Sequence, residues 1–167
     1  MDSPEFEFVK KHKVYDYMPW ETVIHGDCKI NNLLFHSIEP RVTHVIDLDT
    51  SMIGHPAWDF GDMVRSIASG GEEAVSESKI SIRDFKAAAN GFLRGLDGIT
   101  DAKAYAAAPA HMSFMLGVRF LTDHLRGDFY FKVDYPGQNL DRARTQFETT
   151  SQFVSLQADF ERVLKRL

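Results

Sequence analysis

The sequence predicts a mainly helical α+β domain, and two observations carry that expectation. Short β-prone runs separated by turn-forming residues fill the stretch from Thr22 to Ile46, and beyond Gly54 the apolar residues recur at helical spacing for most of the remaining chain. Length sets the domain count. With 167 residues, 44% of them hydrophobic, the chain suits one compact unit with its own core, since a domain of about 150 residues buries roughly 70% of its unfolded surface.

The first seven residues, MDSPEFE, are polar and show neither a helix nor a strand period, so Met1 to Phe6 read as an appended leader outside the fold. Residues 1–20 are then leader and lead-in, with Pro19 biasing the chain toward an extended approach, and residues 21–167 form the folded unit. Thr22, Val23 and Ile24 make a β-prone run ending at His25. Leu33–Phe35 is expected to pair with His44, Val45 and Ile46 as a short hairpin across HSIEPR, whose Pro40 and polar residues suit a turn. Residues 59–69 place Phe60, Met63, Val64 and Ile67 on one helical stripe that ends at Gly70 and Gly71. Ile82, Phe85, Ala89, Phe92, Leu93 and Leu96 repeat the pattern over residues 81–96. Residues 102–125 predict a long apolar helix with a possible break near Pro109, and residues 139–167 a final amphipathic one.

Composition narrows the function classes. A net charge of −5 and a pI near 5.8 argue against nucleic acid or an acidic membrane surface as partner, because both require a concentrated positive field. One cysteine, Cys28, allows no internal disulfide, and no secretory segment or long apolar run is visible, so a cytoplasmic setting is expected. None of the 11 glycines falls in a G-x-G-x-x-G or G-x-x-x-x-G-K-[ST] pattern, so the sequence contains neither familiar phosphate-cradling loop.

The chemistry sits in HGDCKINN, residues 25–32, followed 15 residues later by Asp47. In a loop of the form H-x-D-x-x-x-x-N the Asp takes or orients the proton of an attacking hydroxyl, and the Asn holds Mg²⁺. Those positions are Asp27 and Asn32. Asp47, after the hairpin, supplies a carboxylate of the hard-oxygen type that Mg²⁺ prefers. Asp27 alone would be an ordinary turn residue; with His25, Asn32 and Asp47 at this spacing a catalytic loop is the better reading. His44, His55, His111 and His124 show no metal-ligand spacing and read as core or surface residues. Asp59 has the place of a helix N-cap, with Asp62 three residues on in a capping-box-like position. Arg119 and Arg126 lie two turns apart on one helix face, where they could meet a sugar or phosphate or could pair with Asp123 or Asp128. Phe129, Tyr130 and Phe131 read as core, with Tyr130 and Lys132 as weak substrate candidates.

HGDCKINNLLF, VIDLDT, PAWDFGDMVR, FLTDHLRGDFYFK and NLDRARTQF together resemble, in order and spacing, the aminoglycoside phosphotransferase and choline kinase superfamily, and especially its N-acetylhexosamine 1-kinase branch, over residues 21–156. The resemblance implies the C-terminal lobe of a protein-kinase-like fold, with a short hairpin carrying the catalytic and metal-binding loops. It implies Asp27 as catalytic base, Lys29 as a charge near the transferred phosphoryl, and Asn32 and Asp47 as Mg²⁺ ligands. Asp49 would be a second-metal or outer carboxylate, and His25 and Asp59 supports of the loop. ATP would be the co-substrate and a small-molecule acceptor, a sugar first, the partner; aminoglycoside, choline or homoserine are the fallbacks. The sequence departs from the family in showing no preceding lobe with an adenine pocket and phosphate-gripping lysine, since Lys10, Lys11 and Lys13 lie too close to His25. The expectation is a chain inactive or weakly active alone, with the N-terminal lobe as its missing partner and self-association through apolar surface around Leu33, Leu34 and Ile53.

Two rival classes remain. A non-catalytic fragment would bind a ligand or partner without transfer. A haloacid dehalogenase-like phosphatase would use Asp47 as nucleophile in VIDLDTSM, but Ser51 stands where that motif needs threonine, and HGDCKINN would go unexplained.

Overall fold

The computed structural model describes residues 3–12, 22–69, 80–96 and 101–167. The expected lead-in around Pro19, the glycine stop at Gly70 and Gly71 with the polar loop after it, and most of the LDGITD segment lie outside the described residues. Within them the chain is a mainly helical α+β structure with two small antiparallel ladders. No described helix is long and apolar enough to cross a membrane.

The N-terminal expectation is corrected first. Pro4–Lys11 forms a helix, α1, where no period was read. Its signals are local: Ser3 Oγ accepts from Phe6 N–H, Pro4 needs no donor at its position, and Glu5 and Glu7 open the helix that Lys10 and Lys11 close. What the period missed is a tertiary anchor. Phe8 stacks on Phe147 with centroids 4.8 Å apart, and the buried Glu5 carboxylate accepts from Arg144 Nε at 2.8 Å.

Strand β1 (Thr22–Ile24) is followed by β2 (Leu33–Phe35), β3 (Val42–Val45) and β4 (Met52–Gly54). The hairpin forms at the expected place, but its second strand is Val42–Val45, with a register shift at Leu34 and Phe35 that sets Phe35 opposite Val42. Ile46, counted in the strand from sequence, leaves it and donates its N–H to Asn32 O. The other ladder was not foreseen: β1 pairs with β4, Val23 opposite Ile53. Such a pairing across 30 residues leaves no local trace, because loop closure depends on everything folded between the strands.

Helix α2 (Pro56–Ala68) starts three residues earlier than its apolar stripe, capped by His55, whose Nδ1 accepts from Ala57 N–H at 3.1 Å. Asp59 is therefore not the cap; it lies in the first turn and is free for another use. Helix α3 (Ile82–Leu93) is capped by Ser81 and stops short of Leu96. Helix α4 (Ala102–Leu125) runs unbroken through Pro109. The lost backbone bond is tolerated because Pro109 is fully buried where α4 packs against both α2 and α5 (Gln138–Leu164). The core between these helices is aromatic. Phe85 and Phe160 stack at 3.8 Å, and Phe60 meets Phe85 edge-on at 5.6 Å. A second cluster joins Phe114, Phe120, Leu121 and Phe147 near α1. In contrast Val23, Leu34, Phe35 and Ile53 on the ladders, and Ile38 in the hairpin turn, are exposed.

Helices α2 and α4 touch through Gly61. A Cβ added there would lie 2.6 Å from the Ala108 carbonyl. Gly61→Ala is expected to lower unfolding stability by about 1–3 kcal/mol in urea titration, whereas alanine at the unobstructed helical Gly91 should raise it by about 0.5–1 kcal/mol. The Glu5–Arg144 pair gives a pH signature. Arg144 holds the Glu5 carboxyl below its ordinary value of 4.5, so the pair's contribution is present above that value and fades as pH falls through the lowered one. The melting-temperature gap between the parent and Glu5→Gln is thus expected at pH 7 and should shrink on acidification.

Candidate active site

The loop from His25 to Asn32 is held by α2. Asp59, released from capping, accepts from His25 N–H at 2.7 Å and from Gly26 N–H at 2.9 Å, one oxygen each. One helical turn pair further along, Ser66 Oγ accepts from Ile30 N–H at 2.9 Å. His25 Nε2 donates to Ile46 O at 3.0 Å, and Thr50 Oγ1 donates to His25 O at 2.8 Å, which ties the loop to the segment carrying Asp47 and Asp49. Ser66 and Thr50 were not foreseen; a serine in a helix and a threonine in a turn give no sequence signal of a partner 36 or 25 residues away. Gly26 shows why no side chain fits there: its φ is +79°, and a Cβ would meet Thr50 O at 2.5 Å.

Inside this frame Asp27, Lys29 and Asn32 converge. Lys29 Nζ lies 2.9 Å from Asp27 Oδ2, and Asn32 Nδ2 donates to the same oxygen at 2.9 Å and to Asp27 O at 2.8 Å. Burial opposes the charge on Asp27, but the hydrogen bonds from Lys29 and Asn32 outweigh it and hold the carboxyl below its ordinary value. Asp27 is therefore a carboxylate at neutral pH. The buried Asn32 spends its amide N–H groups on Asp27, which leaves its carbonyl oxygen as the donor of interest.

Asp47 and Asp49 are exposed and adjacent. Asp49 raises the Asp47 carboxyl above its ordinary value, through a hydrogen bond first and its charge second. Asp47 also adopts a left-handed backbone with φ +64°, a sparsely populated state for a residue with a side chain. Asp47 and Asp49 are hard-oxygen groups of the kind Mg²⁺ takes, but among the described residues no three His, Cys, Asp or Glu side chains are gathered closely enough to hold a metal ion. The neighbouring Cys28 has no nucleophilic part: burial, then the charges of Asp59, Asp62 and Asp27, push its thiol up to about 12.

A cleft of about 210 Å³ opens beside the loop, lined by Ile24, Gly26, Met52, Trp58, Met112 and Met115 together with Asp59, Asp62 and His111. Arg119 and Arg126 are not in it. They line a second, more open cleft of about 370 Å³ with Val118, Thr122, Asp123, Tyr130 and Phe131. The ion pairs weighed for them with Asp123 and Asp128 do not form. Asp123 instead accepts from the N–H groups of Phe129, Tyr130 and Phe131 and from Asn139 Nδ2, at 2.8–3.1 Å. Asp128 accepts from Asn139 Nδ2. Arg119 lies over the rings of Tyr130 and Phe131, at 5.9 and 5.4 Å. The aromatic run is only partly core: Phe131 packs on Phe120, while Phe129 and Tyr130 are exposed.

A helix-braced H-x-D-x-x-x-x-N loop has the form of the loops used in phosphoryl transfer. The model of the Phosphotransferase enzyme family matches residues 15–97. That match supports placing the chain in the aminoglycoside phosphotransferase and choline kinase superfamily. A stretch of 39 residues is 49% identical to acyl-CoA dehydrogenase family member 11 of Gallus gallus and, equally, of Homo sapiens. The protein of that name from Mus musculus is 42% identical over 43 residues. These stretches are 23–26% of this chain and 5–6% of the relatives, so the chain spans only a small fraction of the curated proteins it matches.

Asp59 makes a direct prediction. Asp59→Ala strands two N–H groups, and hydrogen exchange at His25 and Gly26 should rise by at least about tenfold while helix content stays at the parent level, because such bonds to a charged acceptor contribute about 1.5–3 kcal/mol. Unchanged exchange would remove the brace.

Proposed function

We propose that this chain carries the catalytic and metal-binding half of a Mg²⁺- and ATP-dependent phosphotransferase acting on a small-molecule alcohol, built as the C-terminal lobe of a protein-kinase-like fold. The observation that carries this reading is the convergence of Lys29 and Asn32 on the Asp27 carboxylate. Asp27 is charged and half-buried, as a group that takes the proton of an attacking hydroxyl has to be. Lys29, held 2.9 Å from Asp27, would face the transferred phosphoryl once an acceptor enters between them. The Asn32 carbonyl, Asp47 and Asp49 would hold the cation, which when bound neutralises phosphate charge. Asp59, Ser66 and Thr50 keep the loop in place before substrate arrives, so little ordering is left to the reaction itself.

An N-acetylhexosamine or similar sugar is the acceptor class that the likeness of LRGDFYFK and NLDRARTQF supports. In this reading a further set of residues grips ATP, because the 167-residue sequence contains no glycine-rich phosphate loop. The exposed apolar side chains of Val23, Leu34, Phe35 and Ile53 are the surface against which such a lobe, or a second copy of the chain, would pack.

The test is ADP formation from ATP and Mg²⁺ with N-acetylhexosamines, by the isolated chain and by any longer product of the same gene. The isolated chain is expected to turn over at or near background. In the longer product Asp27→Asn should lower kcat by about 10²- to 10⁴-fold. Parent-level turnover in Asp27→Asn would remove Asp27 as base, and Asp27-dependent turnover by the isolated chain would show that it needs no further lobe.

A further inference from the structure

We propose that the acceptor carries an anionic group, held by Arg119 and Arg126 at the far end of a groove along α4 whose near end is the apolar cleft beside the catalytic loop. The inference rests on the phosphotransferase reading and, in place of the neutral N-acetylhexosamine that the sequence likeness supports, assigns the site an acceptor bearing an acidic group.

The helix register joins the two clefts. Met112 and Met115 line the one beside the loop, and Arg119, Thr122 and Arg126 line the other. Steps of three, four, three and four residues put all five on one face of α4, and Met115, Arg119, Thr122 and Arg126 are exposed along it. At 1.5 Å per residue Arg119 is about 6 Å beyond Met115, and the whole stripe is about 21 Å long. A ligand seated against Met112 and Met115 therefore reaches the arginines by extending one helical turn.

The far end is built for an anion. Asp123, the nearest acid on the helix, already spends its carboxylate on three backbone N–H groups and Asn139. Those bonds fix the turn through Gly127 and Asp128, both at positive φ, and so set the wall that carries Tyr130 and Phe131. The two rings support the Arg119 guanidinium from its face and leave its N–H edge available. Among the described residues no ion pair ties either arginine to a carboxylate, although the charge of Arg126 is close enough to help hold the Asp123 carboxyl below its ordinary value. At the near end Met52, Trp58, Met112 and Met115 form an apolar wall, and the two acids there are committed, Asp59 to the loop and Asp62 to Arg65 at 2.9 Å. Such a groove suits an alcohol with an apolar body and a carboxylate or phosphate. It disfavours cationic acceptors such as aminoglycosides or choline, whose charge would meet the two arginines.

Two glycosides with the same aryl body test this by calorimetry without ATP, so that the result is independent of any transfer assay. 4-Nitrophenyl β-glucuronide and 4-nitrophenyl β-glucoside differ in a carboxylate against a hydroxymethyl. The glucuronide is expected to bind about five- to tenfold more tightly at low salt, with the advantage shrinking as salt rises. In Arg119→Gln with Arg126→Gln the advantage should vanish while the circular dichroism melt stays cooperative; were that pair of changes to unfold the chain, the salt titration of the parent decides alone. Equal affinities in the parent, a preference that survives both substitutions or high salt, or no glucuronide binding at all would overturn the proposal. Failure of ADP formation by the longer product, with the preference intact, would instead count against the phosphotransferase reading.

Discussion

The candidate site depends on one carboxylate that performs no chemistry. Asp59 sits in the first turn of α2, where an anion is favoured by the helix N-terminus, and gives one oxygen each to the N–H groups of His25 and Gly26. Those two bonds fasten the candidate loop to a helix anchored in the core, since Ala57, Phe60 and Val64 on α2 are fully buried. Without that anchor, Gly26 at positive φ would be a hinge. With it, the same glycine lets Thr50 approach and the metal-side segment close over the loop.

From this anchor the electrostatics follow in order. Asp27 can stay ionised although half-buried because Lys29 and Asn32 reach the same oxygen, and they can do so only while the backbone from residue 25 to residue 32 is fixed. Asp47 and Asp49 lie on the open side, where the hydrogen bond and charge of Asp49 raise the Asp47 carboxyl and the charge of Lys29 offsets part of that rise. The site is thus stiff on its helical side and acidic on its open side.

A second carboxylate, Asp123, repeats the device at the other end of α4, binding a run of backbone N–H groups to hold an aromatic turn. Asn139 links it to Asp128, and Arg142 links Asn139 to Lys132 O, so that the N-terminal turn of α5 braces the same wall.

The sequence by itself determined helices α2 to α5, the hairpin at Leu33–Phe35 and the H-x-D-x-x-x-x-N spacing of the candidate loop. Helical stripes such as Phe60, Met63, Val64 and Ile67 are local in the chain, and so is the spacing of His25, Asp27 and Asn32. Only the tertiary structure decided the rest. That His55 and not Asp59 caps α2, that β1 finds β4, that α1 is anchored by Phe8 and Glu5, and that Arg119 rests on aromatic rings are outcomes the sequence pattern did not record. Each is a choice among partners that a polar side chain or short strand could equally have made. The choice is fixed by which groups the packed helices bring within hydrogen-bonding reach, and no local pattern records that.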